Sequence, residues 1–175
     1  MSGNHTLQEA VDVNIRVQSE LFKAMIDHGV FMPGSTLKPN IVNAGKDCPV
    51  TYTVDEIAEA NVFVLEQSFP VAMKGLNYLS GGQDLTTAAA RLSAINKANT
   101  RGPWNLSFSW SQALQMPLLA LCIGRNGHLP LKEMGILYLE ELKIASAAAR
   151  GEYEWREGEG DHTGSIANAT APPKH

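Results

Sequence analysis

The first stretch that could do chemistry is Gly34-Ser35-Thr36-Leu37-Lys38-Pro39-Asn40, which follows a short apolar run. A lysine amine that is partly buried among Val30, Phe31 and Leu37 would lose solvation, which lowers its pKa. A neutral amine at the end of a parallel strand can attack a carbonyl carbon and form a Schiff base. The local sequence alone favours the plainer interpretation, in which Lys38 is a solvated surface charge.

Two further stretches end predicted strands. In Tyr78-Leu79-Ser80-Gly81-Gly82-Gln83, the paired glycines allow backbone N–H groups to approach an anion such as a phosphate group. A plain turn between a strand and a helix is the alternative. In the run from Trp104 to Trp110, apolar and polar residues alternate, which mainly indicates core packing. Its end, with Ser111 and Gln112, could still face the same ligand.

Composition and spacing exclude several other functions. The five histidines are scattered and the two cysteines lack zinc-ligand spacing, so neither a metal nor another cofactor is predicted. The net charge of -4 gives no basic face for nucleic acid. The longest apolar run, Met116 to Ile123, is far shorter than the ~20 residues of a membrane helix. With no signal-peptide pattern at its start, the chain is expected to be soluble and cytoplasmic.

The elements that must position these residues alternate along the chain. Capping boxes at Thr6/Glu9 and Thr53/Glu56 predict two helix starts, and Gly29 is expected to end the first helix. The second helix contains one polar interruption, Asn61. The other predicted elements are strands over Val30–Met32, Val71–Leu79 and Trp104–Trp110, and helices over Leu85–Lys97, Gln112–Cys122 and Leu131–Arg150.

This alternation predicts an α/β fold with a parallel sheet built from βαβ units. Three strands are too few for a complete (β/α)8 barrel, which needs eight strands and about 250 residues. Residues 156–175 have few apolar side chains and are predicted to form a polar, mobile C-terminal tail, which leaves residues 1–155 as one domain.

Four motifs in order give the sequence a resemblance to a known family. They are Leu37-Lys38-Pro39-Asn40-Ile41-Val42, Tyr78-Leu79-Ser80-Gly81-Gly82-Gln83, Ala94-Ile95-Asn96-Lys97 and Trp104-Asn105-Leu106-Ser107-Phe108-Ser109. With this spacing, the chain resembles the C-terminal half of class I fructose-bisphosphate aldolases from about residue 10 to residue 153. The resemblance implies an incomplete (β/α)8 TIM barrel, formed by the last three strands, their helices and the C-terminal helices.

The resemblance also implies a reaction and roles for particular residues. The reaction is the reversible cleavage of fructose 1,6-bisphosphate to dihydroxyacetone phosphate and glyceraldehyde 3-phosphate, without a metal. Lys38 would form the Schiff base, and Ser80, Gly81 and Gly82 would hold a substrate phosphate. Ser111 and Gln112 stand where the family carries Gly-Arg, and Gln112 cannot supply a cation. The family's catalytic glutamate lies in the N-terminal half of the family sequence, and the resemblance does not extend to that half.

The missing strands lead to an expectation about partners. A partial barrel exposes strand edges and apolar faces, so the chain is expected to form a homo-oligomer or to need a complementing N-terminal half. Two alternatives to an enzyme stay open. The chain could be a non-catalytic, aldolase-like binding or interaction module, or a structural protein whose copies cover one another's sheet edges.

Overall fold

Helices and parallel strands alternate along residues 2–125 and 127–154, the part of the chain that the computed structural model describes. The helices are α1 (Leu7–Asp27), α2 (Val54–Ser68), α3 (Leu85–Ala98), α4 (Gln112–Ala120) and α5 (Leu131–Ala149). The strands are β1 (Thr36–Leu37), β2 (Gly75–Tyr78) and β3 (Asn105–Phe108). The predicted tail, residues 156–175, lies outside the described residues.

The capping boxes begin the first two helices as predicted. In α2, the Thr53 hydroxyl accepts the Glu56 N–H at 3.2 Å, and the Glu56 carboxylate accepts the Thr53 N–H at 2.7 Å. Thr6 and Glu9 make the same pair of bonds at the start of α1. Each box satisfies N–H groups that the first turn of a helix would otherwise leave unpaired.

Gly29 ends α1 as expected, because its backbone has a φ of 66°, a left-handed conformation that favours glycine. The N–H of Val30 donates to the carbonyl of Met25 at 2.9 Å, and the N–H of Gly29 donates to that of Ile26 at 3.0 Å. These two bonds form a Schellman motif, which satisfies carbonyls at the helix end.

The predicted strand over Val30–Met32 is wrong. Met32–Gly34 forms a 3-10 turn with Pro33 as its middle residue, and the first strand begins later, at Thr36. The apolar run is the exit from the Schellman motif rather than a strand, and Phe31 is 72% exposed. Of the stretch predicted as Val71–Leu79, only Gly75–Tyr78 is a strand, because a turn closes from the Met73 N–H to the Pro70 carbonyl.

The three strands form one parallel sheet in the order β1-β2-β3. Leu37, Leu76 and Leu106 lie in register on one face, and the buried side chains of this face join a core that includes residues of all five helices. The opposite face carries Thr36, Asn77 and Ser107, which are polar and partly or fully exposed. We call this opposite face the polar face of the sheet.

Candidate active site

The strand register places Lys38 beside two polar residues of the neighbouring strands. Leu37 pairs with Leu76, so the next position, Lys38, lies opposite Asn77, which pairs with Ser107. The pairing continues past Lys38, because the Leu79 N–H donates to the Pro39 carbonyl at 2.9 Å. Since neighbouring strands lie about 4.8 Å apart, these three residues form a row across the polar face near its C-terminal edge.

Lys38 itself is exposed, and within the described part of the chain its amine makes no hydrogen bond or ion pair. The expected burial among Val30, Phe31 and Leu37 is therefore wrong. Val30 is 41% exposed and Phe31 72%, because the Schellman motif and the 3-10 turn direct both side chains to solvent. The position of Lys38 after a strand is confirmed, but that strand is Thr36–Leu37.

A buried asparagine holds the backbone that follows Lys38. Asn61 of α2 is 0% exposed, and its Oδ1 accepts the Val42 N–H at 2.9 Å. Its Nδ2 donates to the carbonyls of Val42 at 2.9 Å and Ile57 at 2.7 Å. The side chain thus pairs with Val42 as a neighbouring strand would. The polar interruption of α2 is the sequence signal for this contact, but the sequence does not indicate its partner.

Ser80 and the two glycines form a tight turn after β2. Gly81 and Gly82 have φ values of 59° and 79°, as the central residues of a type I′ turn do. The Gln83 N–H donates to the Ser80 carbonyl at 3.1 Å, and the Gln83 Nε2 donates to the same oxygen at 2.9 Å. Ser80 is buried, whereas both glycines are partly exposed. We call this segment the Ser80–Gln83 turn.

The residues after β3 come next to this turn. The Ser109 N–H donates to the Tyr78 carbonyl at 2.9 Å, and α4 starts at Gln112. A methyl group placed on Gly82 would lie 3.8 Å from the Gln112 Oε1, so the structure brings Gln112 beside Gly82. Ser111 is exposed at the start of α4, and its side chain makes no capping bond.

Sequence reasoning missed Arg91 on α3. Its Nη1 donates to the Gln83 Oε1, so the guanidinium reaches back to the Ser80–Gln83 turn. Partial burial lowers the pKa of Arg91, and the negative charge of Asp84 opposes that shift. Eight positions separate Arg91 from Gln83, so the sequence shows this contact only if the helix and its starting point are already known.

The residues that the structure describes contain neither a group suited to a metal ion nor a helix suited to a membrane. These residues contain no group of three or more His, Cys, Asp or Glu side chains that could hold a metal ion. None of the described helices combines the length and apolar character needed to cross a membrane.

Comparison with known proteins decides the family. The sequence model described as glycolytic fructose-bisphosphate aldolase class I matches residues 1–170. The chain belongs to the class I fructose-bisphosphate aldolase family. It is 36% identical over 166 residues to a fructose-bisphosphate aldolase of Dictyostelium discoideum, covering 95% of this chain and 46% of that one. It is 38% identical over 151 residues to aldolase B of Gallus gallus, covering 86% of this chain and 41% of that one.

The aldolase fold is also found by structure comparison. A crystal structure of the Plasmodium falciparum aldolase, in complex with TRAP and a small-molecule inhibitor, superposes with a TM-score of 0.82 and 31% identity. The match covers 89% of this chain and 44% of the Plasmodium chain. The family and the incomplete barrel predicted from the sequence are therefore confirmed. The chain spans less than half the length of these aldolases.

Proposed function

We propose that this chain carries the Schiff-base lysine and one phosphate site of a fructose-bisphosphate aldolase. The Lys38 ammonium first gives up a proton, and the neutral amine attacks the ketose carbonyl carbon. A C–N bond forms, the carbonyl oxygen takes up protons and leaves as water, and an iminium ion results. When the C3–C4 bond breaks, its electron pair moves toward the iminium nitrogen, and the C4 hydroxyl loses its proton to a base. The resulting enamine is protonated at C3 and hydrolysed, which releases the second product and frees Lys38.

One observation carries the proposal. Lys38 is exposed on the polar face of the sheet at the C-terminal ends of parallel strands, where barrel enzymes build their active sites. Because this amine has no partner in the described residues, no ion pair has to break before it attacks a carbonyl carbon. Asn77 and Ser107 lie in register beside it and supply polar groups for a substrate hydroxyl.

The phosphate site is assigned to the neighbouring strand ends. The N–H groups of Gly81 and Gly82, with the Ser80 hydroxyl, are the proposed donors to a substrate phosphate. Gln112, which lies beside Gly82, and Ser111 border the same place. The proposed ligand is therefore a sugar phosphate, and no metal or other cofactor is required by this chemistry.

Completion of the barrel is part of the proposal. Exposed apolar residues occupy both ends of the described chain: Val13, Val17 and Leu21 on α1, and Leu131, Ile136 and Leu139 on α5. Val13, Val17 and Leu21 follow at intervals of four and form a stripe that the core does not cover. We propose that residues 1–155 form an aldolase-type unit, and that an N-terminal half, or another copy, covers these surfaces in the cytoplasm.

A cleavage assay tests this function. Release of triose phosphates from fructose 1,6-bisphosphate would be measured for the chain alone and for the chain mixed with the N-terminal half of a related aldolase. We expect activity in the mixture, its loss in Lys38→Ala and its retention in Lys74→Ala. Lys74 is the matched control because it is exposed and immediately precedes β2. It therefore lies at the N-terminal ends of the strands, whereas Lys38 lies at their C-terminal ends. Absence of cleavage in both samples would contradict the proposal.

The second candidate is a non-catalytic binding module. The neutral Gln112 favours it, because the amide cannot form the charged fork that holds a phosphate group. In that case the chain would bind its ligand or partner equally well as wild type and as Lys38→Ala, and neither form would gain cleavage activity after mixing.

A further inference from the structure

Two opposite charges flank the Ser80–Gln83 turn. Asp84 begins α3, and its carboxylate accepts the Thr86 hydroxyl at 2.6 Å, the Thr87 N–H at 2.8 Å and the Thr87 hydroxyl at 2.7 Å. Burial opposes ionisation of this carboxyl, but the hydrogen bonds from Thr86 and Thr87 outweigh it, and the pKa of Asp84 is lowered. Asp84 therefore places a negative charge two residues after Gly82.

Arg91 supplies the positive charge. It lies two turns along α3, and its guanidinium reaches back to donate to the Gln83 Oε1. The guanidinium is partly buried, and within the described residues it forms no ion pair of 4.0 Å or less. The negative charge of Asp84 nevertheless acts on it, since it opposes the lowering of the Arg91 pKa by burial. Gln83 links it to the turn, because the Nε2 of the same amide donates to the Ser80 carbonyl.

These contacts set the electrostatic conditions for an anion that binds at Gly81 and Gly82, which are both partly exposed. With Asp84 alone, a phosphate group would approach a fixed carboxylate, and like charges at short range repel strongly in a partly buried site. Arg91 offsets that carboxylate without pairing with it. Within the described residues the guanidinium makes one hydrogen bond, to Gln83, which leaves further N–H donors for an oxygen anion.

We infer that Arg91 is the cation of the phosphate site, and that it acts by offsetting Asp84 and by holding the Ser80–Gln83 turn through Gln83. The inference rests on the proposed function, since it names the residue that makes the same turn receptive to a phosphate group. Gln112, which borders Gly82 on the other side, is neutral, so the charge comes from α3 rather than from the start of α4.

In the test, the full chain is titrated with inorganic phosphate, and binding is monitored through the NMR chemical shifts of the Gly81 and Gly82 amides. We expect a saturable shift in the wild type and a dissociation constant about tenfold higher in Arg91→Gln, because one unit charge near the ligand is lost. Arg91→Lys retains the charge and should stay within about threefold of the wild type.

Asp84→Asn separates the negative charge of Asp84 from its role as the N-cap of α3. Asparagine is as good an N-cap as aspartate, so α3 keeps its start while the negative charge disappears. Asp84→Asn alone should tighten phosphate binding, and added to Arg91→Gln it should restore most of the lost affinity. If Arg91 acted only by holding Gln83, Asp84→Asn would not rescue Arg91→Gln, and the inference would be overturned. It would also be overturned by equal affinity in Arg91→Gln and wild type, or by no saturable shift in the wild type.

A charge-matched control and a second readout complete the design. The control is Arg150→Gln, which removes an exposed cation that pairs with Glu152. Arg150 lies near the other end of α3, where the next residue, Gly151, approaches Lys97. Its replacement should leave phosphate affinity unchanged. Borohydride trapping of dihydroxyacetone phosphate on Lys38 is then compared in wild type and Arg91→Gln. An adduct that forms at equal substrate concentrations in both would overturn the role of Arg91 and leave the Schiff-base proposal standing. No adduct in either would count against the Schiff-base proposal itself.

Discussion

Replacement of Asn61 by alanine is expected to loosen the backbone that carries Lys38. In the wild type, the Asn61 amide pairs with both the N–H and the carbonyl of Val42, each at 2.9 Å, in a region where Val42 is 2% exposed. Alanine leaves both backbone groups buried and unpaired. Each such group costs about 1–3 kcal/mol, and a partial collapse of the site recovers some of that loss. The free energy of unfolding should therefore fall by about 2–4 kcal/mol.

Urea unfolding followed by circular dichroism measures this change. Asn14→Ala is the matched control, because Asn14 also donates to a carbonyl four residues earlier, that of Ala10 at 2.8 Å. Asn14 is only partly buried, and among the described residues its side chain bonds to no other segment. We expect the control to stay within about 0.5 kcal/mol of the wild type. If Asn61→Ala is as stable as Asn14→Ala, the side chain does not hold Val42 and the reasoning is refuted.

Three other predictions concern pH, backbone conformation and capping. Burial raises the pKa of Glu141 to about 7, so the folded chain should lose stability as pH rises from about 4.5 to 7, and urea midpoints of Glu141→Gln should not show that loss. Gly81→Ala places a side chain at φ 59° and should lower stability by about 1–2 kcal/mol, whereas Gly135→Ala, in helix α5 with open space around it, should raise it by about 0.5–1 kcal/mol in the same assay. Thr53→Ala breaks the capping box with Glu56 and should cost about 1 kcal/mol, and an unchanged melting temperature would contradict this.

Local signals in the sequence were enough to locate most elements. The capping boxes at Thr6 and Thr53 mark helix starts because their hydrogen bonds join residues only three apart. The first strand was misplaced because Thr36–Leu37 is only two residues long, and such a segment leaves no periodic pattern in the sequence. Its strand pairing comes from β2, whose paired residues lie 39 positions further along the chain.

The sequence predicted the candidate site only in part, because some of its neighbouring positions are set by the folded sheet. The strand-end positions of Lys38, the Ser80–Gln83 turn and Gln112 follow from the element order and from the family motifs. The row of Lys38, Asn77 and Ser107 depends on strand register, which only the folded sheet defines. The prediction that Lys38 is partly buried was wrong, because the exposure of a side chain depends on the path of the preceding turn. Apolar residues nearby in the sequence do not determine it.

Trapping of the Schiff base tests the central claim most directly. The full chain would be mixed with dihydroxyacetone phosphate, alone and with the N-terminal half of a related aldolase, reduced with borohydride and analysed by intact mass and peptide mapping. The proposed mechanism predicts one reduced adduct on Lys38, absent in Lys38→Ala and retained in Lys74→Ala. A folded chain that gives no adduct with either sample, or an adduct that persists in Lys38→Ala, would contradict it.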